Sequence, residues 1–157
     1  MTAGFPDEAA AALRVSIEEE HGYLSWLGTT IETVDVGRIV LSVPFDEKLT
    51  NTTEPPTVHG GIAATLADTA GALVQRTVFD DPRRGGVATI NLNINYLARA
   101  NDDLIATGEV VRSGGSVGVS EMRVESPTSD GETETVAVGQ GSFRLYRDGR
   151  PSEFTPK

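Results

Sequence analysis

"PTVHGGIAATLADTAGAL", residues 56–73, is the stretch whose reading decides the fold. A histidine and two glycines lead into an almost wholly apolar run, and one carboxylate, Asp68, interrupts it. Ile62, Ala63, Leu66, Ala67, Ala70, Leu73 and Val74 cover most of a helical circumference, which predicts a helix over 60–78. A helix that is apolar nearly all round belongs inside other structure. An ionised carboxylate on such a helix is costly unless it is hydrogen-bonded or wet. Asp68 follows Gly61 by seven residues, so at about 100° per residue the two share one face, two turns apart. The residues alone leave two readings of Asp68 open. It is either a core polar group tied to a nearby hydroxyl, with Thr65 and Thr69 close in sequence, or a group placed for chemistry. Gly60 and Gly61 are equally double. They either only permit the turn into the helix, or they leave helix-terminal N–H groups accessible, where the dipole favours negative charge.

Working outward, residues 7–21 read as a first helix, with Asp7 as its cap and Gly22 as its stop. Residues 29–36 and 38–44 read as two strands turning at Gly37, because Ile39, Leu41 and Val43 alternate with Arg38, Val40 and Ser42. "EKLTNTTEPPT" (47–57) is a loop, and the sequon match at Asn51 inside it is accidental without a secretory signal. "VATINLNINYLA" (87–98) alternates most clearly: Ala88, Ile90, Leu92, Ile94 and Tyr96 on one face, Thr89, Asn91, Asn93 and Asn95 on the other. Strands over 104–112, 116–125 and 134–146 follow, separated by "RSGG" and "SPTSDGE" turns. A phase slip between Val119 and Met122 predicts a bulge. Gly139 and Gly141 predict a bend or a close backbone approach. Strands joined by short connections are expected to be antiparallel neighbours. The expected architecture is therefore α+β, one buried helix against a curved antiparallel sheet. Three asparagines on one face of a central-looking strand make 88–97 the candidate interface. The whole of 1–157 reads as a single domain, with 1–22 as an N-terminal helix and 148–157 as a flexible tail.

The charge balance narrows function. Asp and Glu number 23, Lys and Arg 13, and the net charge is −10. Nucleic acid is excluded as a partner, since binding it needs a basic face. The acidity reads either as an ordinary solvated surface or as adaptation to a salt-rich cytoplasm. There is no cysteine, hence no disulfide, thiolate nucleophile or cysteine-ligated metal. No apolar run reaches the roughly 20 residues of a membrane span, and no signal peptide opens the chain. The expectation is a cytoplasmic protein with no membrane partner. Gly114–Gly118 matches G-x-S-x-G, but both histidines, His21 and His59, precede it, and it opens a strand rather than a helix. Two lone histidines make no metal site. Gly139-x-Gly141 lacks the third glycine and the helix of a dinucleotide loop.

"HGGIAATLADTAGAL", with "VATINLNINYLARA" about twenty residues later, closely resembles the hotdog-fold acyl-CoA thioesterases, and within them the PaaI-like (phenylacetate-degradation) branch. The similarity runs from "WLGTTIETVDVGRIVLSVPF" through "VAVGQGSFRLY". The resemblance implies a long central helix wrapped by five or six antiparallel strands. It implies homodimers joined edge to edge, often paired into homotetramers, with active sites at the dimer interface. The activity implied is hydrolysis of an acyl-CoA to free acid and coenzyme A, with no cofactor and no metal.

Residue by residue, the resemblance makes Asp68 the catalytic carboxylate, as general base or nucleophile. Gly60 becomes the donor of an amide to the thioester oxygen. Thr89 becomes the strand hydroxyl that holds the water. His59 and Gly61 fall at substrate-orienting positions, with His59 fixing its loop. The family's polar loop residue lies six before the histidine, at Thr53, and the nearest amide is Asn51, which a longer loop would bring to the same place. Where the family often has arginine followed by proline, this chain has "LARA", which leaves Arg99. Arg83, Arg84, Arg112, Arg144 and Arg147 are the cations available to offset repulsion between coenzyme A and an acidic protein. Two rival readings are a non-catalytic acyl-CoA-binding member of the fold and a purely structural oligomer.

Overall fold

The structure is a computed structural model that describes residues 4–148. The expected tail falls almost wholly outside the described residues.

A six-stranded antiparallel sheet wraps one long helix. The helix is α3 (Gly60–Arg76), and the strands are β1 (Thr30–Asp35), β2 (Arg38–Val43), β3 (Gly86–Tyr96), β4 (Leu104–Ser113), β5 (Val117–Pro127) and β6 (Thr133–Tyr146). Their spatial order is β1-β2-β4-β5-β6-β3. The α+β hotdog architecture expected from the sequence is the one observed. Ala63, Leu66, Ala67, Ala70, Leu73 and Val74 of α3 meet Ile39, Leu41, Val43, Leu104, Ala106, Met122 and Val124 in one core. Glycine lets the sheet close on the helix. A Cβ on Gly108 would lie 2.7 Å from the Ala70 carbonyl oxygen, and one on Gly71 would lie 2.7 Å from Phe143.

The strand 88–97 is not central but an edge, paired among the described residues only with β6. The seven residues between β3 and β4 connect strands that do not pair. That connection instead binds across the entry to α3: Val58 N–H donates to the Ala100 carbonyl and Leu97 N–H to the Val136 carbonyl. Backbone partners found outside the adjoining strands release the short-connection rule.

The expected bulge between Val119 and Met122 is also elsewhere. Along β5 the buried positions are Gly118, Ser120, Met122, Val124 and Ser126, a regular alternation. The slip in hydrophobicity arises because the inner face carries a glycine and a serine. The register shifts on the neighbouring strand, where Val111 is the extra residue between Val110↔Ser120 and Arg112↔Val119. Gly139 and Gly141 do serve close approach. A Cβ on Gly139 would lie 2.4 Å from the Asn93 carbonyl oxygen of β3, and one on Gly141 3.2 Å from that of Asn91.

The N-terminal segment is helical over residues 7–20, close to the expected 7–21, but it changes pitch on the way and a second helix follows. It comprises α1 (Asp7–Arg14), a π-helical segment Val15–Glu20, and, after an extended His21, a second helix α2 (Gly22–Leu27). Pro6, not Asp7, holds the cap position. Gly22 opens α2 rather than ending α1, because the His21 imidazole accepts from Leu24 N–H and starts a new helix. Gly28, at φ 76°, closes it. Glu18 accepts from the Ile31 N–H (2.8 Å) and Arg14 donates to its carbonyl (3.2 Å), so side chains of this segment satisfy the exposed edge of β1.

Candidate active site

His59 caps α3. Its Nδ1 accepts from the Gly61 N–H at 2.8 Å, and its carbonyl accepts from Ile62 N–H. The residue expected to fix the loop therefore does so, and Nδ1 carries no proton in this bond. The cap also takes the Gly61 amide. Among the described residues, the Gly60 N–H meets no acceptor. Of the two glycines, it is Gly60 that keeps an unpaired donor at the positive end of the helix.

A cavity of about 310 Å³ adjoins that amide. Val58, Ala63, Ala98, Ala100, Leu104 and Val136 give it apolar walls, and Asn51, Thr53 and Arg99 reach it from the loops. Both alternatives for the polar loop position therefore line the same space as Gly60. The Thr53 hydroxyl donates to the Pro55 carbonyl, whereas the Asn51 side chain has no partner among the described residues. Tyr96, which the sequence assigned only to a strand face, also lines the cavity and donates to the Gly60 carbonyl at 2.7 Å.

Asp68 lies two turns further along α3, half-buried rather than sealed in the core. Its Oδ1 accepts from the Thr89 hydroxyl at 2.7 Å. The partner is neither Thr65 nor Thr69. Those hydroxyls donate to the Gly61 and Thr65 carbonyls one turn back, the usual recourse of a helical threonine. Thr89 reaches Asp68 because of a bulge that the alternation concealed. The pairing Thr89↔Phe143 is followed by Asn91↔Ser142, leaving Ile90 unpaired and 58% exposed. Side chains paired across a ladder share a face. Thr89 therefore lies on the inner face with Phe143, while Leu92 and Ile94 resume that face beyond the bulge. The expected grouping of Thr89 with Asn91, Asn93 and Asn95 is corrected accordingly. A bulge that re-aims a side chain is a common device beside active sites.

The sequence-derived residues thus form two clusters. Asp68 and Thr89 make one. His59, Gly60, Gly61, Asn51 and Arg99 gather at the helix entry. Eight residues at 1.5 Å each separate Asp68 from Gly60 by about 12 Å along the axis. One chain's carboxylate cannot attack a carbonyl held by its own Gly60. Of the named arginines, Arg83 pairs with Glu8 and Asp81, and Arg147 donates to Ser113 and Gly114.

Sequence reasoning missed Gln75 as well as Tyr96. Gln75 is 0% exposed, and its Nε2 donates to the Arg112 carbonyl, the Val119 carbonyl and the Ser120 hydroxyl at 3.3, 3.0 and 2.9 Å. Those groups flank the Val111 bulge, where the ladder is interrupted, so the amide substitutes for missing strand partners. The glycine and serine on the inner face of β5 were the available signal.

The family description "Thioesterase superfamily" matches residues 56–132. A protein of Halobacterium salinarum bearing the name "Putative esterase" is 50% identical over 148 residues, covering 92% of this chain and 98% of that one. The chain belongs to the thioesterase superfamily. Among solved structures, a thioesterase family protein from Silicibacter pomeroyi superposes with a TM-score of 0.78 at 24% identity, over 88% of this chain and 98% of that one. The PaaI protein of the E. coli phenylacetic acid degradation operon gives 0.73 at 22%, over 92% and 96%. At such identities these two likenesses concern the fold. No described helix is long and apolar enough to cross a membrane.

Proposed function

We propose that this superfamily member hydrolyses acyl-CoA thioesters as a homodimer, within the PaaI-like branch and with dimers pairing into tetramers. Asp68 of one subunit acts on a thioester held at Gly60 of the partner subunit. The observation that carries this reading is the Asp68–Thr89 hydrogen bond on an accessible helix face, about 12 Å from the unpaired amide it must serve. Thr89 orients the carboxylate, and Oδ2 accepts a proton from water. The resulting hydroxide attacks the carbonyl carbon. The Gly60 amide bears the negative charge that develops on the carbonyl oxygen. Collapse breaks the C–S bond, and the coenzyme A thiolate leaves and takes up the proton. Asn51 fits the carbonyl's second donor, and Arg99 offers the substrate a cation beside the same cavity. The relative from a halophile favours the saline reading of the −10 charge. At about 1 M salt the screening length is ~3 Å, so distant carboxylates no longer repel coenzyme A.

The test is thiol release from a panel of acyl-CoAs. Asp68→Ala and Asp68→Asn should each lower kcat by about 10²-fold or more, the scale of a lost positioned base. Mixing variants tests the two-subunit site. Gly60→Pro deletes the amide at a first-turn position whose backbone suits proline, after a His59 already at ψ 133°, and is combined with Tyr96→Ala in the same chain because a Cβ at position 60 would lie 3.2 Å from the Tyr96 ring. Neither variant should turn over alone. Random mixed dimers should recover about a quarter of wild-type activity, because each mixed dimer retains one complete site. No recovery, or full activity in Asp68→Ala, would rule the mechanism out.

A further inference from the structure

We infer that Tyr96 is a positioning residue for the Gly60 amide, locking the first peptide of α3 from the side opposite His59. The inference rests on the thioesterase reading for its catalytic consequence, but the lock itself is geometric. The peptide joining Gly60 to Gly61 is held at both ends. Its carbonyl accepts from the Tyr96 hydroxyl at 2.7 Å, and its N–H donates to His59 Nδ1 at 2.8 Å. Two consecutive glycines would otherwise give the helix entry the widest backbone freedom available to a chain. The donor that must meet a developing oxyanion would then be free to swing. Fixing the 60–61 peptide fixes the ψ of Gly60, and the Ile62 N–H that donates to the His59 carbonyl holds the preceding peptide, so that together they set the direction of the Gly60 N–H. A donor aimed before the reaction begins is worth more than one that must reorganise.

The ring contributes separately from the hydroxyl. A Cβ at position 60 would come within 3.2 Å of the Tyr96 ring, so glycine is what allows the ring to seat over the helix entry. Tyr96 is 55% exposed and lines the same cavity of about 310 Å³. Its side chain leaves the inner face of β3 two residues after Ile94, and the strand ends at Tyr96. The hydroxyl therefore comes from a rigid element rather than a loop. The core does not account for a tyrosine here, since a half-exposed ring contributes little to it.

Tyr96→Phe keeps the ring and removes only the hydroxyl. The full-length variant is compared with wild type in kcat, KM, Tm and hydrogen exchange at the Gly61 amide. We expect kcat to fall about tenfold, KM to stay within about twofold, and Gly61 to exchange at least about fivefold faster, the scale of one lost hydrogen bond. Tm should remain within about 2 °C, since the group is half-exposed. An active wild type beside an unchanged kcat in Tyr96→Phe overturns the positioning role. Unchanged Gly61 exchange overturns the lock whether or not either protein is active. Faster exchange in a variant of an inactive wild type supports the lock and sinks the thioesterase reading instead.

Discussion

Asp68 and Gln75 stand seven residues apart on one side of α3, and the fold treats them in opposite ways. Gln75 is sealed, with three acceptors around its Nε2. Asp68 is half-buried, with one bond to one of its two oxygens. Both sit on a helix that sequence alone reads as core. The glutamine repairs a gap in the sheet, because Val111 interrupts the ladder just where its amide arrives. The aspartate repairs no gap in the sheet: no backbone donor reaches it, and Oδ2 has no partner among the described residues. A sealed amide whose donors fill gaps in the ladder is explained by folding, even though Gln75 Oε1 has no partner among the described residues. A half-buried carboxylate that mends no such gap is the one our proposal assigns to chemistry.

Three substitutions press on this contrast, taken from the largest expected change to the smallest. Gln75→Ala opens a void and strands two carbonyls. It should cost about 2–4 kcal/mol, and lower Tm by several degrees at ~2–4 °C per kcal/mol, while kcat per folded molecule holds. A variant equally stable but inactive would make Gln75 the functional group and dissolve the distinction. Gly118→Ala approaches the same amide from the other side, since its Cβ would fall 2.3 Å from Gln75 Oε1. Overpacking of that kind should cost about 1–3 kcal/mol in chemical denaturation, again without a specific change in turnover. Thr89→Val removes the hydroxyl facing Asp68 and keeps the shape. Its signature should be the reverse: kcat down by about tenfold, or ~1.4 kcal/mol, with the denaturation midpoint nearly unmoved. A fall in stability with full activity would place Asp68 and Thr89 in the same structural class as Gln75.

The sequence made the helix, the number of strands and the cluster around Gly60 legible, because each rests on local periodicity or on a compact motif. Three features escaped it, two because each depends on a partner distant in sequence and the third because a histidine serves as a local cap. The perfect alternation of Ala88, Ile90, Leu92, Ile94 and Tyr96 concealed a bulge, since an exposed isoleucine is indistinguishable from a buried one until β6 fixes the register. The polar phase of β5 looked like an irregularity until Gln75 supplied its complement from α3. Gly22 looked like a stop until the His21 imidazole, three residues before Leu24, showed a helix beginning there. Asp68 was conspicuous without help, but its hydroxyl partner was visible only across 21 residues of chain.

The bulge at Ile90 ties two fates together. If Ile90 were instead paired into a continuous ladder, the strand could keep only one half of its present facing. Either Val87 and Thr89 would turn outward, or Leu92 and Ile94 would. Loss of the hydroxyl beside Asp68 and loss of hydrophobic lining under α3 thus become alternatives forced by a single frame-like slip. The strand could shed this residue and keep every inward side chain, but it could not absorb it into the pleat without exchanging one set for the other.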